Sequence, residues 1–261
     1  CLEGGFGLSL VRLTERDRAP HFPDLLDRVR RREIGGFVIP SPTCERPGLL
    51  AALQQAGVPV ATLSSPAGLH DGPSVVGLDR QAMAEMTRRV LGFGHRRIAF
   101  IRGNAGWRDS EERHAGFLDA MAEAGVAVDT SLVLQGHYSF DAGRSCGLAL
   151  LSRREPPTAV IASSDDLAAG VIAVAHERGM ELPAQLSVTG YDDTDGARKL
   201  WPPLTTVHQP VEEMAEQAVR RLLRLMRPTR HADRDGPPRL ELPAHIVMRQ
   251  SLAVPAGAGP R

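Results

Sequence analysis

Short apolar runs rich in Val, Ile, Leu and Phe alternate with longer amphipathic stretches along nearly the whole chain. That rhythm is the one produced by βα units on a parallel sheet. "FGLSLV" (6–11) and "GGFVIP" (35–40) read as strands around a helix carrying Phe22, Leu25, Leu26 and Val29 at i, i+3, i+4 and i+7. "VPVATL" (58–63) and "SVVGL" (74–78) follow, around a loop rich in Pro and Gly. A helix from Asp79 to Phe93 turns Met83, Met86 and Val90 inward and is stopped by Gly94. The cycle then repeats as strand "RRIAFIRG" (96–103), helix 110–124, strand "LVLQG", helix 141–152, strand "TAVIAS", helix 165–178 and strand "LSVTGY". Pro210 opens a further helix with Val211, Met214, Ala218, Leu222 and Leu225 on one stripe. A loop rich in Pro, Gly and charge (227–238) leads to closing strands in "RLELPAHIVMRQS", and the tail 252–261 reads as disordered. So many units predict helices on both faces of a sheet. Because the sequence opens inside a strand signal, a first strand and helix are expected upstream of it.

Composition narrows the class. At 261 residues, 42% hydrophobic and 24% charged, the chain can bury a sizeable core as one large domain or two halves. A formal net charge of zero offers no whole-surface field to attract nucleic acid or anionic lipid. If DNA is a partner, another segment must grip it. Cys1, Cys44 and Cys146 are scattered, without the spacing of a disulfide framework or a zinc site, which points to a reducing compartment. A first-position Cys also allows a lipidated anchor, but the fold signal starts almost at once and leaves no tether. No run approaches the roughly 18 apolar residues of a membrane span, and no signal-peptide pattern opens the chain, so no membrane partner is expected.

In open α/β sheets ligands bind beyond the carboxyl ends of the strands. Polar residues at such places are Ser64 and Ser65, Asn104 to Asp109, Tyr138, Ser163 to Asp166, and Asp192 to Asp195. Asp165 and Asp166 open a helix and read as caps. Asp192, Asp193 and Asp195 make a loose D-D-x-D without the glycine and terminal glutamate of a calcium loop, so no metal is expected. The chain has no G-x-S-x-G elbow and no H-E-x-x-H. His95 in "GHRRI" reads as a packed or capping residue, and "GGFG" (4–7) precedes a strand where a dinucleotide fingerprint follows one. These signals argue against an enzyme and against a cofactor. They favour recognition of a small polar ligand: Asp192 accepting hydroxyls, Arg113 donating to others and Tyr138 stacking on a ring would suit a sugar or related polyol. Two or three charge-assisted bonds of about 1.5–3 kcal/mol would carry most of a micromolar affinity. Arg113 reads equally well as a solvated helix residue.

"GFGHRRIAFIRG", "ERHAGFLDAMAEAGV", "PPTAVIASSDDLAAGVIAVAHERGMELPAQLSVTGYDDT", "PPLTTVHQP" and "HIVMRQS" occur in that order. Together they resemble the effector-binding core of the LacI/GalR family of bacterial transcription regulators. The resemblance implies an α/β fold of the periplasmic binding protein type: two similar doubly wound parallel-sheet subdomains joined by three crossovers, with the ligand between them. The crossovers would fall near Gly77, His208 and Leu240. That gives an N-terminal subdomain of 1–77 plus 210–240 and a C-terminal one of 78–208 plus 241–251. The implied ligand contacts are Asp192, Arg113, Tyr138, Gln209, Ser164, Ser64 and Asp109. Ser164 departs from the Asn common in the family, and its shorter hydroxyl offers fewer hydrogen bonds.

The resemblance further implies a cytoplasmic homodimer. Its operator-binding helix-turn-helix and hinge helix lie outside this sequence, and the small-molecule effector controls DNA binding allosterically. The alternative in another class is an extracytoplasmic sugar-binding protein of a transporter. A metal-dependent sugar transferase on the same scaffold would require turnover that Asp192→Ala abolishes.

Overall fold

The computed structural model describes residues 5–13, 22–226 and 238–256. The chain divides into two compact units, one of residues 1–77 with 210–242 and one of 78–209 with 243–261.

The first unit holds a parallel sheet of β1 (Phe37–Pro40), β2 (Val60–Leu63), β3 (Ser74–Gly77) and β9 (Arg239–Leu242), in the order β1-β2-β3-β9. Side chains alternate across each strand, so the sheet feeds two cores. Ile39 and Val60 pack with Phe22, Leu25, Leu49 and Leu53 of and beside α1 (Pro23–Arg30) and α2 (Leu49–Gln55). On the other face Ala61, Val75 and Leu242 pack with Met214, Ala218 and Leu222 of α7 (Val211–Met226).

Residues 6–11, expected as a strand, form none, and Leu8 and Leu10 are 85% and 100% exposed. A strand needs a neighbour for its N–H and C=O groups, and the ladder of β1 runs to β2. The short helix α2 escaped the sequence reading because "LLAALQQ" carries no charged face to reveal its period. The loop expected at 227–238 lies outside the described residues except for its last position.

The second unit is built on β4 (Ile98–Arg102), β5 (Val133–Gln135), β6 (Ala159–Ala162) and β7 (Ser187–Thr189), all parallel and ordered β5-β4-β6-β7. Helices α3 (Asp79–Gly92) and α4 (Arg108–Glu123) pack on each other, as do α5 (Phe140–Leu151) and α6 (Asp165–Glu177). Met83, Met86, Val90 and Phe117 bury one sheet face with Phe100 and Ile161; Leu150, Leu167 and Val171 bury the other with Ile101 and Val160. Glycines allow the second helix pair to touch backbone to backbone: a Cβ on Gly170 would stand 2.3 Å from the Phe140 carbonyl oxygen, and one on Gly143 would stand 2.2 Å from that of Leu167.

β8 (Thr206–His208) runs beside the continuation of β7 through bridges Thr189–Thr205 and Asp192–His208, and β10 (His245–Val247) pairs with it antiparallel. "PPLTTVHQP" is therefore more than a connection, since its middle is a strand. Order also continues past Gln250: Leu252 is buried, and the Ala253 carbonyl accepts from His95 Nε2 at 2.8 Å. The expected disordered tail does not begin at 252, because Leu252 fills an apolar core; residues 257–261 lie outside the described residues. Among the described residues no helix is long and apolar enough to cross a membrane.

Candidate functional site

The strand order of the second unit reverses between β4 and β6, since β4 leads out to β5 on one side and β6 lies on the other. Such a switch point leaves a crevice at the carboxyl ends of the strands. Three chain segments meet there: the 103–109 stretch after β4, Ser163 after β6, and Tyr191 to Asp193 after β7.

Helix α4 places Asp109, Arg113 and Phe117 four residues apart on its inward stripe. Phe117 goes to the core, while Arg113, one turn nearer the rim, is 3% exposed. Its Nε donates to Asp79 Oδ1 at 3.0 Å and its Nη1 to the Ser163 carbonyl at 2.6 Å. The guanidinium lies 3.6 Å from the centre of the Tyr191 ring and 5.7 Å from that of Tyr138. Burial opposes its charge, but Asp79 and Asp192 outweigh that and hold the guanidinium pKa above its usual value. Arg113 is therefore a fixed cation and not a solvated helix residue.

Asp79 opens α3, and its buried carboxylate takes a second cation, Arg108 Nη1, at 3.5 Å from Oδ2. The rim rule applied to "SVVGL" would have found Asp79, the first charged residue past β3. In the sequence it reads only as the start of a helix.

Asp192 brings its Oδ1 within 3.5 Å of Arg113 Nη1 and keeps a third of its side chain exposed. Burial pushes its carboxyl up to about 7, against the opposing pull of Arg113. Asp109 Oδ2 stands 4.0 Å from Arg113 Nη2, and its Oδ1 is buried without a hydrogen-bond partner. The Tyr138 ring lies 5.8 Å from that of Trp107, and its backbone N–H donates to Asn104 Oδ1 at 2.9 Å. The Tyr138 and Tyr191 hydroxyls come close to Asp109 and Asp79 without reaching hydrogen-bond geometry.

Asp192 and Asp193 have φ of 109° and 57°, a region that L-residues rarely adopt. Neighbours over-determine this bend. The Asp192 N–H donates to the Val207 carbonyl at 2.8 Å. Asp193, the second acid of the D-D-x-D, is nearly buried and accepts from Arg249 and from His208 Nδ1, the latter at 3.1 Å. Burial works against its charge, but these bonds win and hold the carboxyl below the usual range.

Asp165 also departs from its expected capping role. Ser164 caps α6, its Oγ accepting from the Leu167 N–H at 3.3 Å. Asp165 instead accepts from Thr206 Oγ1 at 2.6 Å and from the Thr194 N–H at 2.7 Å, tying α6 to the loop that carries Asp192.

The structure thus brings together four of the expected contacts: Arg113, Asp192, Asp109 and Tyr138. Ser164 is nearly buried in its cap. Gln209 follows His208, the bridge partner of Asp192, and is partly exposed. Ser64 belongs to the other unit, where it ends β2 with φ of 54° and donates its N–H to the Val75 carbonyl at 2.9 Å. Asp195 is exposed.

A family model of the periplasmic binding protein-like domain matches residues 87–252. The HTH-type transcriptional regulator DegA of Bacillus subtilis (strain 168) is 33% identical over 228 residues, covering 86% of this chain and 66% of that protein. The chain spans 66% or less of the length of the first curated relatives it matches. Among solved structures, a regulatory protein of the LacI family from Chloroflexus aggregans is similar with a TM-score of 0.81 and 26% identity, over 92% of this chain and 84% of that one. A complex of the transcriptional regulator CelR with cellobiose is similar with a TM-score of 0.78 and 30% identity, over 87% and 69%.

Proposed function

This chain belongs to the periplasmic binding protein-like family and, within it, to the LacI-type regulators, and from that premise we propose that it is the effector-sensing core of a transcriptional repressor. The effector is a small sugar or related polyol held by the rim of the 78–209 unit. Asp192 and Asp109 accept its hydroxyls, Arg113 donates, and Tyr138 covers an apolar ring face. The observation that carries this reading is Arg113, a buried cation fixed by Asp79, Ser163 and Tyr191 beside two incompletely paired carboxylates.

Operator DNA is gripped by a helix-turn-helix segment outside these residues, in a cytoplasmic homodimer, and Ser64 and Gln209 add contacts that tune the effector. Occupancy changes operator affinity by a coupling of about 1–3 kcal/mol, typical of linked sites. The relatives named above are regulators, which favours this reading over a transporter's binding protein.

The test is a thermal-shift screen of mono- and disaccharides, repeated on Asp192→Ala and Arg113→Ala, because a ligand that binds only the native state raises its midpoint. A sugar that stabilises the parent and neither variant supports the assignment. Equal stabilisation of all three overturns it.

A further inference from the structure

We propose that the ligand of this site carries a cationic centre, a protonated amine on a polyol scaffold, and is selected over neutral and phosphorylated polyols. The inference rests on reading the surroundings of Arg113 as the effector site and deepens that reading.

Three carboxylates, Asp79, Asp109 and Asp192, lie within 4.0 Å of two guanidiniums, Arg108 and Arg113, a formal excess of one negative charge, and Asp165 adds its charge on the side of Asp192. The cations are unevenly shared. Asp79 takes both of them, at 3.0 Å from Arg113 and 3.5 Å from Arg108. Asp165 is held by neutral donors alone, the hydroxyls of Thr194 and Thr206 and the Thr194 N–H. Asp109 and Asp192 reach Arg113 only at 4.0 and 3.5 Å, well beyond the about 2.7–2.9 Å of a charge-assisted hydrogen bond. These two are also the ones that keep exposed edges, 23% and 33% of their side chains.

The open side of the site therefore presents carboxylates whose charge nothing fully offsets. Burial is the main cause that raises the Asp192 carboxyl, and the neighbouring carboxylates add to it against the pull of Arg113.

Three kinds of ligand would meet this surface differently. A phosphate ester would bring a dianion against Asp109 and Asp192, with Nε and Nη1 of Arg113 already taken by Asp79 and Ser163. A neutral polyol could donate hydroxyls to both carboxylates but would leave the excess charge in a partly desolvated place, where it is costly. An ammonium supplies three N–H donors and the missing charge together. The Trp107 and Tyr138 rings, 5.8 Å apart, add aromatic faces that attract a cation.

The experiment compares matched hexoses on the protein by calorimetry: glucose and galactose, their 2-amino- and 6-amino-deoxy forms, and their 6-phosphates. One of the amines is expected to bind at least about tenfold tighter than its neutral parent, a modest share of the Coulomb energy available at about 4 Å, and the phosphates not at all. Asp109→Asn, confirmed folded by its thermal midpoint, should weaken the amine far more than its neutral parent, so that the ratio of their affinities falls towards one; Asp192→Asn is the second variant, with the same fall in ratio.

A neutral or phosphorylated hexose that binds as tightly as the amines, with binding that depends on Arg113, overturns the charge preference and leaves the polyol site standing. Amine binding that both Asn variants leave unchanged overturns the preference as well. No binding by any hexose of the set overturns both the preference and the polyol reading.

Discussion

Arg113 and Asp79 form an ion pair closed from water on both sides, Nε to Oδ1 at 3.0 Å, with side-chain exposures of 3% and 0%. Asp79 sits at the start of α3 and Arg113 in the second turn of α4. The pair therefore ties the two helices together at the rim, while Gly116 lets them touch further down, where an added Cβ would stand 2.1 Å from the Arg80 carbonyl oxygen.

Removing one member of such a pair leaves a buried charge uncompensated, so Asp79→Ala should lower the unfolding free energy by about 3–5 kcal/mol. Adding Arg113→Met removes the orphaned charge. The double variant should lose less than the sum of the singles, as expected for residues in contact. Urea denaturation of the four proteins at pH 7 measures the coupling, and strictly additive losses would show that the pair is not one unit.

A Cβ on Gly103 would stand 2.1 Å from Cζ of Tyr138. The clash falls on the far end of a side chain, so Gly103→Ala should displace the ring and leave the backbone in place. The cost should appear in recognition. Loss of one aromatic contact of about 0.5–1.5 kcal/mol would weaken effector binding by roughly two- to tenfold, with the thermal midpoint shifting little. A large fall in midpoint with unchanged affinity would refute the role given to Tyr138.

Burial lifts the Asp192 carboxyl from 3.8 to about 7. An acid whose pKa is raised on folding makes the folded state bind protons that the unfolded chain does not. Stability then increases as pH falls through 7 towards the unfolded value and is lost as pH rises through 7. Asp192→Asn is neutral throughout. Without effector it should melt above the parent at pH 8, and the gap should narrow as pH falls through 7 and close only below 3.8, where the parent carboxyl is protonated in the folded and the unfolded chain alike. Parallel midpoint curves for the two proteins would rule out the shift.

The α5–α6 contact offers no room at Gly170, where a Cβ would meet the Phe140 carbonyl oxygen at 2.3 Å and the Arg144 nitrogen at 2.5 Å. Gly170→Val should force the helices apart at a cost of about 1–3 kcal/mol, the usual penalty of overpacking. Its signature is a lower urea midpoint with effector affinity retained, since the distortion lies on the sheet face away from Arg113.

The apolar rhythm made most of the architecture legible, because strands and helices of this kind need only period and punctuation. It failed at residues 6–11, where the pattern is present but no ladder forms, and at β8, whose "TVH" is too short to show a period. In the site, Asp192, Arg113 and Tyr138 were visible because each follows an apolar run or sits in a quotable phrase.

What stayed hidden was how the acids divide their work. Asp192, Asp193 and Asp165 look alike in one dimension, and only tertiary partners make one an open carboxylate, one an anchor for Arg249 and one a tie between Thr194 and Thr206. His95 shows the opposite case. The Ala253 carbonyl can only accept, so Nε2 carries the proton and Nδ1 faces Thr158 Oγ1 at 2.9 Å. Burial lowers its pKa, which agrees with a packed, neutral histidine.

The left-handed bend at Asp192 has a genetic consequence. Glycine is the residue best suited to φ of 109°, and one transition in an aspartate codon encodes it. Asp192→Gly would relieve backbone strain of the order of 1–3 kcal/mol while deleting the carboxylate. A screen for unresponsive alleles should therefore recover this change often, as a well-folded, abundant protein deaf to its signal.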